Sequence, residues 1–575
     1  MVKLLDLRFN SAEGSGLLQA RSATQLGNTT MTSLASRLLP AHTGLARRLC
    51  GLAVLLLASG ASQAAEVNVC GSVNPKLGYG SGLYGGSHAS LHRDGRNSDF
   101  ADCEIADGFT SDWTLSIDPH LLAVKPVIGP NNIAWLAYNN YAPTEPDPAF
   151  LHGVNVKTGA PVVIMRASQG LNSTMGFGQP VIDTVGNIYF GQEVTRDPAT
   201  RCRFEGESLS EGDLCGEVMS IDATGATRWR MRIDGSPISA QWTPDGKLLV
   251  QSWRGTTYIM EPSPLVPNSA RVLFSANSFP EAAATLPDMP IPRCIFDGQG
   301  NTCLIANTPS VDPVTGTIYN IVLDVLHSPN PEQPDGTIRR WLYDRTTHAV
   351  TLDTGWGSAV RISGGSASSP DLSFTGKELF LNDASKNVYA IDTSNGALLA
   401  KTAIPYTPGG SLLSAPRLNR KGEIIGAYLG FNMPIDQFEP SPWLTILHYF
   451  PATARTPATF KVKRIFNGTD DPLGTGWYSA GGTAGGIVDK NDIGTPMRLI
   501  SLATKVCKNS CDKQNGLFLL VIDFETAKIV SKAYIADRTT GSPSIASDGS
   551  VVLSHAGKYL MSRHVPVPTP ATLKK

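Results

Sequence analysis

The sequence predicts an all-β, eight-bladed β-propeller of four-stranded antiparallel blades, closed by pairing of N- and C-terminal strands. Three observations carry that prediction. A unit seen best in Ser368–Lys401 recurs, with degenerate copies beginning near Pro126, Pro180, Pro237, Pro309, Pro416, Thr483 and Pro543, and fixed-type units of this size mark a repeat architecture. The 575 residues include 56 Gly and 40 Pro and only 17% charged residues, which suits short strands and tight turns rather than long helices. The last unit, Pro543–Arg563, holds three strands, and Thr110–Asp118, just ahead of the first unit, offers a fourth. Radial packing of such blades leaves only short, protected sheet edges.

In chain order, residues 1–65 read as a leader and secretory signal. Arg47 and Arg48 form a positive end, Leu49–Ala58 an apolar core and Ser62-Gln63-Ala64 a small-residue cleavage site. The apolar run is about half the roughly 20 residues a membrane span needs. A soluble periplasmic or secreted protein is therefore expected, cleaved near Ala64/Ala65 after Sec or Tat export, with Met1 or Met31 as its start. Residues 66–109 form a lead-in to the repeats. His88 and His92 there lie four apart beside Asp94, but Gly85, Gly86 and Gly95 oppose the helix that such a ligand spacing needs, so no metal site is expected.

Nine cysteines are present, and Cys50 leaves with the signal. Proximity pairs the others as Cys70–Cys103, Cys202–Cys215, Cys294–Cys303 and Cys507–Cys511, loop staples of an oxidising compartment, with other connectivities open. Charge is balanced, 48 basic against 49 acidic residues, unlike the basic surface of a nucleic-acid binder.

The propeller is expected over 110–565. Gly186–Gln192, Gly246–Ser252, Gly316–Val322 and Gly376–Asn382 are equivalent strands, each introduced by a Gly that supplies a positive φ. Ser220–Trp229, Leu342–Val350, Ala390–Leu399 and Val521–Val530 are equivalent strand–turn–strand elements in which Asp bonds the turn backbone. Insertions at Tyr138–Phe150, Glu193–Glu217, Pro262–Ala306, Val325–Thr337, Phe431–Trp443 and Asp489–Met497 account for uneven spacing. Residues 566–575 are a Pro-rich tail.

On SSPDLS (Ser368–Ser373), NVYAIDTSNGALLAK (Asn387–Lys401), SAPRLNRKGEI (Ser414–Ile424) and GSPSIASDGSVV (Gly541–Val552), the units resemble the PQQ-like, or quinoprotein-alcohol-dehydrogenase-like, eight-bladed propellers. LHRDGRNS (Leu91–Ser98) is similar to the Arg-x-Asp-x-x-Asn segment that often precedes the first blade of that superfamily. It includes quinone-dependent dehydrogenases and the non-catalytic envelope assembly factor BamB. The resemblance implies adjacent cysteines over the quinone in a dehydrogenase, and this chain has no Cys-Cys pair. It also implies a docking Trp at blade ends, where only Trp229 fits, with Val350, Leu399 and Val530 in equivalent slots.

Small residues crowd the segments before the blade prolines, and in this fold they approach the axis. Close backbone packing explains them; so does a funnel floor with backbone donors for a ligand. The candidate axial pocket comprises Ser368, Ser369, Ser414, Gly482, Thr483 and Gly485, with Phe431–Trp443 as a lid or as a loop packing its own aromatics. No catalytic or cofactor-binding residue can be named, and no Ser, His and Asp assemble into a triad from sequence. The expected function is a non-catalytic binding or scaffold protein of the bacterial envelope or exterior, a monomer meeting an envelope protein or small molecule at the axial mouth. The alternative is an axial-site enzyme: a divergent oxidoreductase taking PQQ and Ca²⁺, or a hydrolase or lyase.

Overall fold

Each Gly–strand and Asp–turn pair in the repeat folds into part of one blade, and eight such sheets form the ring. In this computed structural model the described residues lie between Gly85 and Val567, apart from 117–121, 140–148, 167–172, 175–179, 195–215, 234–236, 264–270, 280–306, 325–334, 407–411, 433–441, 468–474, 480–484, 488–496, 508–515, 537–540, 556–559 and isolated single or paired positions. Among the described residues there is no helix.

The innermost strands of blades 1 to 8 are Val127–Ile128, Val181–Ile182, Gln241–Trp242, Ser310–Val311, Asp371–Leu372, Leu412–Leu418, Gly485–Ile487 and Gly541–Ile545. Blade 5 is the plainest: Asp371–Leu372, Glu378–Asn382, Asn387–Asp392 and Leu398–Ala403 pair antiparallel in sequence order. The turn chemistry is as expected. Gly186, Gly246, Gly316 and Gly376 have φ of 90°, 78°, 80° and 71°, a region that costs other residues steric strain. Asp222, Asp344 and Asp392 each accept a backbone N–H two residues on, at 2.7–2.8 Å.

Ring closure follows the prediction. The eighth blade takes Gly541–Ile545, Val551–His555 and Leu560–Pro566 from the end of the chain, and Phe109–Ser116 adds as its outer strand, with Phe109 opposite Pro566 and Ser116 opposite Leu560.

Between blades the core is apolar. Leu249 and Ile259 of blade 3 pack on Val311, Ile318 and Trp341 of blade 4, and Ile500 and Leu519 of blade 7 on Val551 and Leu553 of blade 8. Four seams add the same latch, a ring N–H reaching the carbonyl just past the third strand of the next blade. Trp113 Nε1 donates to Val156 O (2.7 Å), Trp229 Nε1 to Pro262 O (2.9 Å) and Trp356 Nε1 to Thr393 O (3.0 Å), while His448 Nε2 lies 2.9 Å from Phe524 O. The expectation that Trp229 alone docks is therefore corrected. Trp356 reaches the slot from beyond its outer strand and Trp113 from the closing strand, so neither sits where the repeat alignment looks.

Candidate functional site

The axis is occupied by residues of the lead-in. The segment 87–103 winds past the innermost strands in blade order. Ser87 Oγ donates to Ile128 O in blade 1, the Ile182 N–H of blade 2 donates to Ala89 O, and Gln241 of blade 3 donates to Asn97 Oδ1. Backbone N–H groups of Val311, Leu372 and Ser414 donate to the carbonyls of Gly95, Arg96 and Ser98 at 2.6, 2.9 and 3.0 Å. Phe100 and Ala101 then pair in parallel with Gly486 and Ile487, and Ala101 and Cys103 pack against Ile545, Val551 and Leu553 of blade 8. This strap therefore touches all eight blades.

Its coiled path is set locally. Asp94 Oδ1 accepts the N–H groups of Arg96 and Ser98, and its Oδ2 accepts from Ser98 Oγ. Arg93, Asn97 and Asp99 hold φ of 73°, 63° and 54°, left-handed values that Asn and Asp tolerate better than Arg. Gly95 is needed at blade 4, because a Cβ there would lie 3.0 Å from Val311 O.

The strap carries its charges inside. His92, Arg93, Asp94, Arg96 and Asp99 are buried, as are Lys125 and Asp371 beside them. Lys125 Nζ donates to Asp99 Oδ1 at 2.7 Å, and burial lowers its pKa against the pull of Asp99. Burial raises the Asp94 carboxyl despite Arg96 and Ser98. Asp371 is pushed well above the usual carboxylate range by burial, with Asp94 and Asp99 adding repulsion, while Ser414 and Arg96 oppose the shift. One of its oxygens accepts from Ser414 Oγ at 2.8 Å; Oδ2 has no hydrogen-bond partner.

Three of the candidate pocket residues meet this network or lie beside it. Ser369 Oγ is 3.0 Å from His92 Nε2, Ser414 bonds both Ser98 and Asp371, and Ser368 Oγ accepts from Asn382 Nδ2 at 2.7 Å. Gly485 starts the inner strand of blade 7, opposite Ile500. Gly482 and Thr483 lie outside the described residues, as do His88, Cys70, Cys202, Cys215, Cys294, Cys303, Cys511 and most of Phe431–Trp443. Cys103 is buried and disulfide-bonded, and Cys507 ends a strand of blade 7.

One arrangement was invisible in the sequence. His92 Nδ1 lies 2.9 Å from Asp99 Oδ2. A carboxylate only accepts, so that nitrogen carries the proton, and Nε2 of a neutral ring accepts from Ser369. Ser369, His92 and Asp99 thus have the connectivity of a nucleophile–base–carboxylate relay, drawn from positions 277 residues apart. Yet Ser369 is 2% exposed and the other oxygen of Asp99 is bound to Lys125. The arrangement anchors the strap to blade 5. Neither Asp94 nor Asp99 of the strap offers an unengaged carboxylate oxygen to a Ca²⁺–quinone pair. A Ca²⁺ ion takes about 6–8 oxygen ligands, while the carboxylates of Asp94 and Asp99 are taken by Ser98, His92, Lys125 and backbone N–H groups. Among the described residues no three His, Cys, Asp or Glu are grouped to hold a metal.

No family model matches the chain. Protein Rv3035 of Mycobacterium tuberculosis is 25% identical over 330 residues, covering 56% of this chain and 68% of that protein. Among solved structures, BamB from Moraxella catarrhalis is similar at 11% identity and a TM-score of 0.41, over 80% of this chain and 99% of its own. Quinohemoprotein alcohol dehydrogenase from Comamonas testosteroni is similar at 10% identity and 0.47, over 85% and 82%. The likeness is one of fold. Among the described residues no helix is long and apolar enough to cross a membrane.

Proposed function

We propose that this chain is a non-catalytic binding or scaffold protein of the bacterial envelope or exterior, exported with cleavage near Ala64/Ala65. One observation supports this above all. The axis, where a propeller enzyme would gather its reactive groups, is filled by the strap, whose buried charges engage one another and the blades. The partner, an envelope protein or a small molecule, meets the axial mouth; of the expected pocket, Ser368, Ser369 and Ser414 are buried and engage Asn382, His92 and Asp371, so they support the strap beneath that mouth rather than line it. Incubation with PQQ and Ca²⁺ should produce neither cofactor absorbance nor dye-linked alcohol oxidation. Tight uptake with turnover would overturn the scaffold reading. Mass spectrometry of the secreted form should find an N-terminus near Ala65 or Glu66 and eight alkylation-resistant cysteines.

A second reading, an axial hydrolase, is favoured by the Ser369–His92–Asp99 geometry. It requires the mouth to open far enough to expose Ser369. A fluorophosphonate probe separates the two. Labelling at Ser369, lost in Ser369→Ala, supports the hydrolase; an unlabelled folded protein supports the scaffold.

A further inference from the structure

Blade 8 carries a buried side-chain chain that neither reading uses. Ser562 Oγ lies 2.6 Å from His555 Nε2 and 3.0 Å from His564 Nε2. All three residues are buried, and Nδ1 of each ring is buried without a partner. Strand alternation puts them on the face that Val551 and Leu553 turn toward blade 7. Ser562 and His564 stand on the strand that receives the closing strand, opposite Thr114 and Ser111.

A hydroxyl has one proton. It can donate to one ring while accepting an N–H from the other, so two neutral rings of opposite tautomer satisfy both contacts and give the hydroxyl proton an acceptor. If both rings carried charge, both would aim N–H at one oxygen, and two cations would face each other across it.

The surroundings offer little to hold those charges. Blade 7 presents Ile500, Leu502, Leu517, Leu519 and Val521, and the strap presents Ala101 and Cys103. The charged neighbours among the described residues pair with one another: Arg498 with Asp107 and Asp523, and Arg563 with Asp112 and Asp548. Only Asp112, on the closing strand, favours the charged form of His564, and nothing comparable acts on His555. Burial accordingly pushes His555 down to about 3, with His564 adding repulsion, and His564 to about 4.

We propose that the His555–Ser562–His564 chain is an acid-sensitive latch on ring closure, holding Leu560–Pro566 and its partner Phe109–Ser116 in place only while both rings are neutral. Native values below the unfolded 6.5 mean that the latch is at full strength above pH 6.5. It weakens as pH falls toward 4, because the open blade binds protons that the closed one refuses. The closing strand is the element to respond, since its ladder has a single partner strand.

Hydrogen exchange of the full chain between pH 4.5 and 7.5, corrected for intrinsic rates, tests this. Relative to 387–403 in blade 5, the opening of 109–116 and 560–566 should grow by about tenfold per pH unit for each proton taken up below pH 6.5. The double variant His555→Gln, His564→Gln should be flat. An equal slope in that variant, or no slope in the parent, overturns the latch. Should the double variant not fold, ¹⁵N-histidine spectra of the parent at pH 6 decide: two neutral rings support it, and a charged ring overturns it.

Discussion

At the seams, blades meet through side chains such as Ile259 against Val311 or Leu519 against Leu553, and at other seams, such as that of blades 2 and 3, a ring N–H reaches across. At the axis, Asp94, Asp99, Lys125 and Asp371 lie buried in one another's fields. The seam chemistry is local: each latch joins two neighbours and knows nothing of the rest. The axial chemistry is global, because Asn97 alone bonds Gln241 of blade 3, Thr308 O ahead of blade 4 and Pro370 O ahead of blade 5. Damage should therefore be tolerated at a seam and propagated from the axis.

The largest effect should come from Lys125→Met, which leaves Asp99 Oδ1 buried without its cation. Removing one partner of a buried pair costs about 3–5 kcal/mol, read as a lower urea midpoint. The double variant Lys125→Met, Asp99→Asn should recover most of it, and a single-variant loss under about 1 kcal/mol would break the contrast with the seams. Gly95→Val overpacks the strap against blade 4 for about 1–3 kcal/mol; here protection should fall in all blades, which sharpens the comparison. Trp229→Phe keeps much of the packing but removes the shortest hydrogen bond to Pro262 O, leaving Tyr189 and Arg228 at 3.4 and 3.5 Å, for about 1 kcal/mol, with exchange changing only in blades 2 and 3.

Asp371→Asn gives a smaller, pH-dependent effect. A raised native value favours the protonated form, so the Asp371 site is most favourable below the unfolded value near 3.8 and loses stability as pH rises through the native value. The Asn variant should thus gain on the parent as pH rises above about 4. A parent that matched it at every pH would show that Asp371 is not strained. Smallest of all is Lys461→Ala on the exposed outer strand of blade 6, expected within about 0.5 kcal/mol.

The blades were legible because their signals are short-range. Gly376 must take a positive φ whatever lies around it, and Asp392 bonds Ser394 two residues on, so sequence alone reveals both. The closing strand was legible by arithmetic, one blade short of a strand and one strand without a blade. The axial network was not. His92 reads with His88 as a ligand pair beside Asp94 that the glycines oppose, whereas its partners are Ser369 and Asp99, Asp99 in turn holds Lys125, and only the closed ring brings Ser369 and Lys125 near. Trp113 and Trp356 were missed for a related reason: a latch is defined by the carbonyl it reaches, which a repeat alignment does not register.

The strap also bears on the order of events during synthesis. It leaves the ribosome before any blade exists, yet its partners include Ile545 and Leu553 near the far end of the chain. Desolvating Asp99 without Lys125 in place, or Asp94 without the ring around it, would cost several kcal/mol, so the strap, made ahead of every blade, must wait, hydrated, for the last of them. Blades can form as they emerge, but the molecule commits only when Leu560–Pro566 arrives. A chain stalled short of that strand is left with its strap still searching.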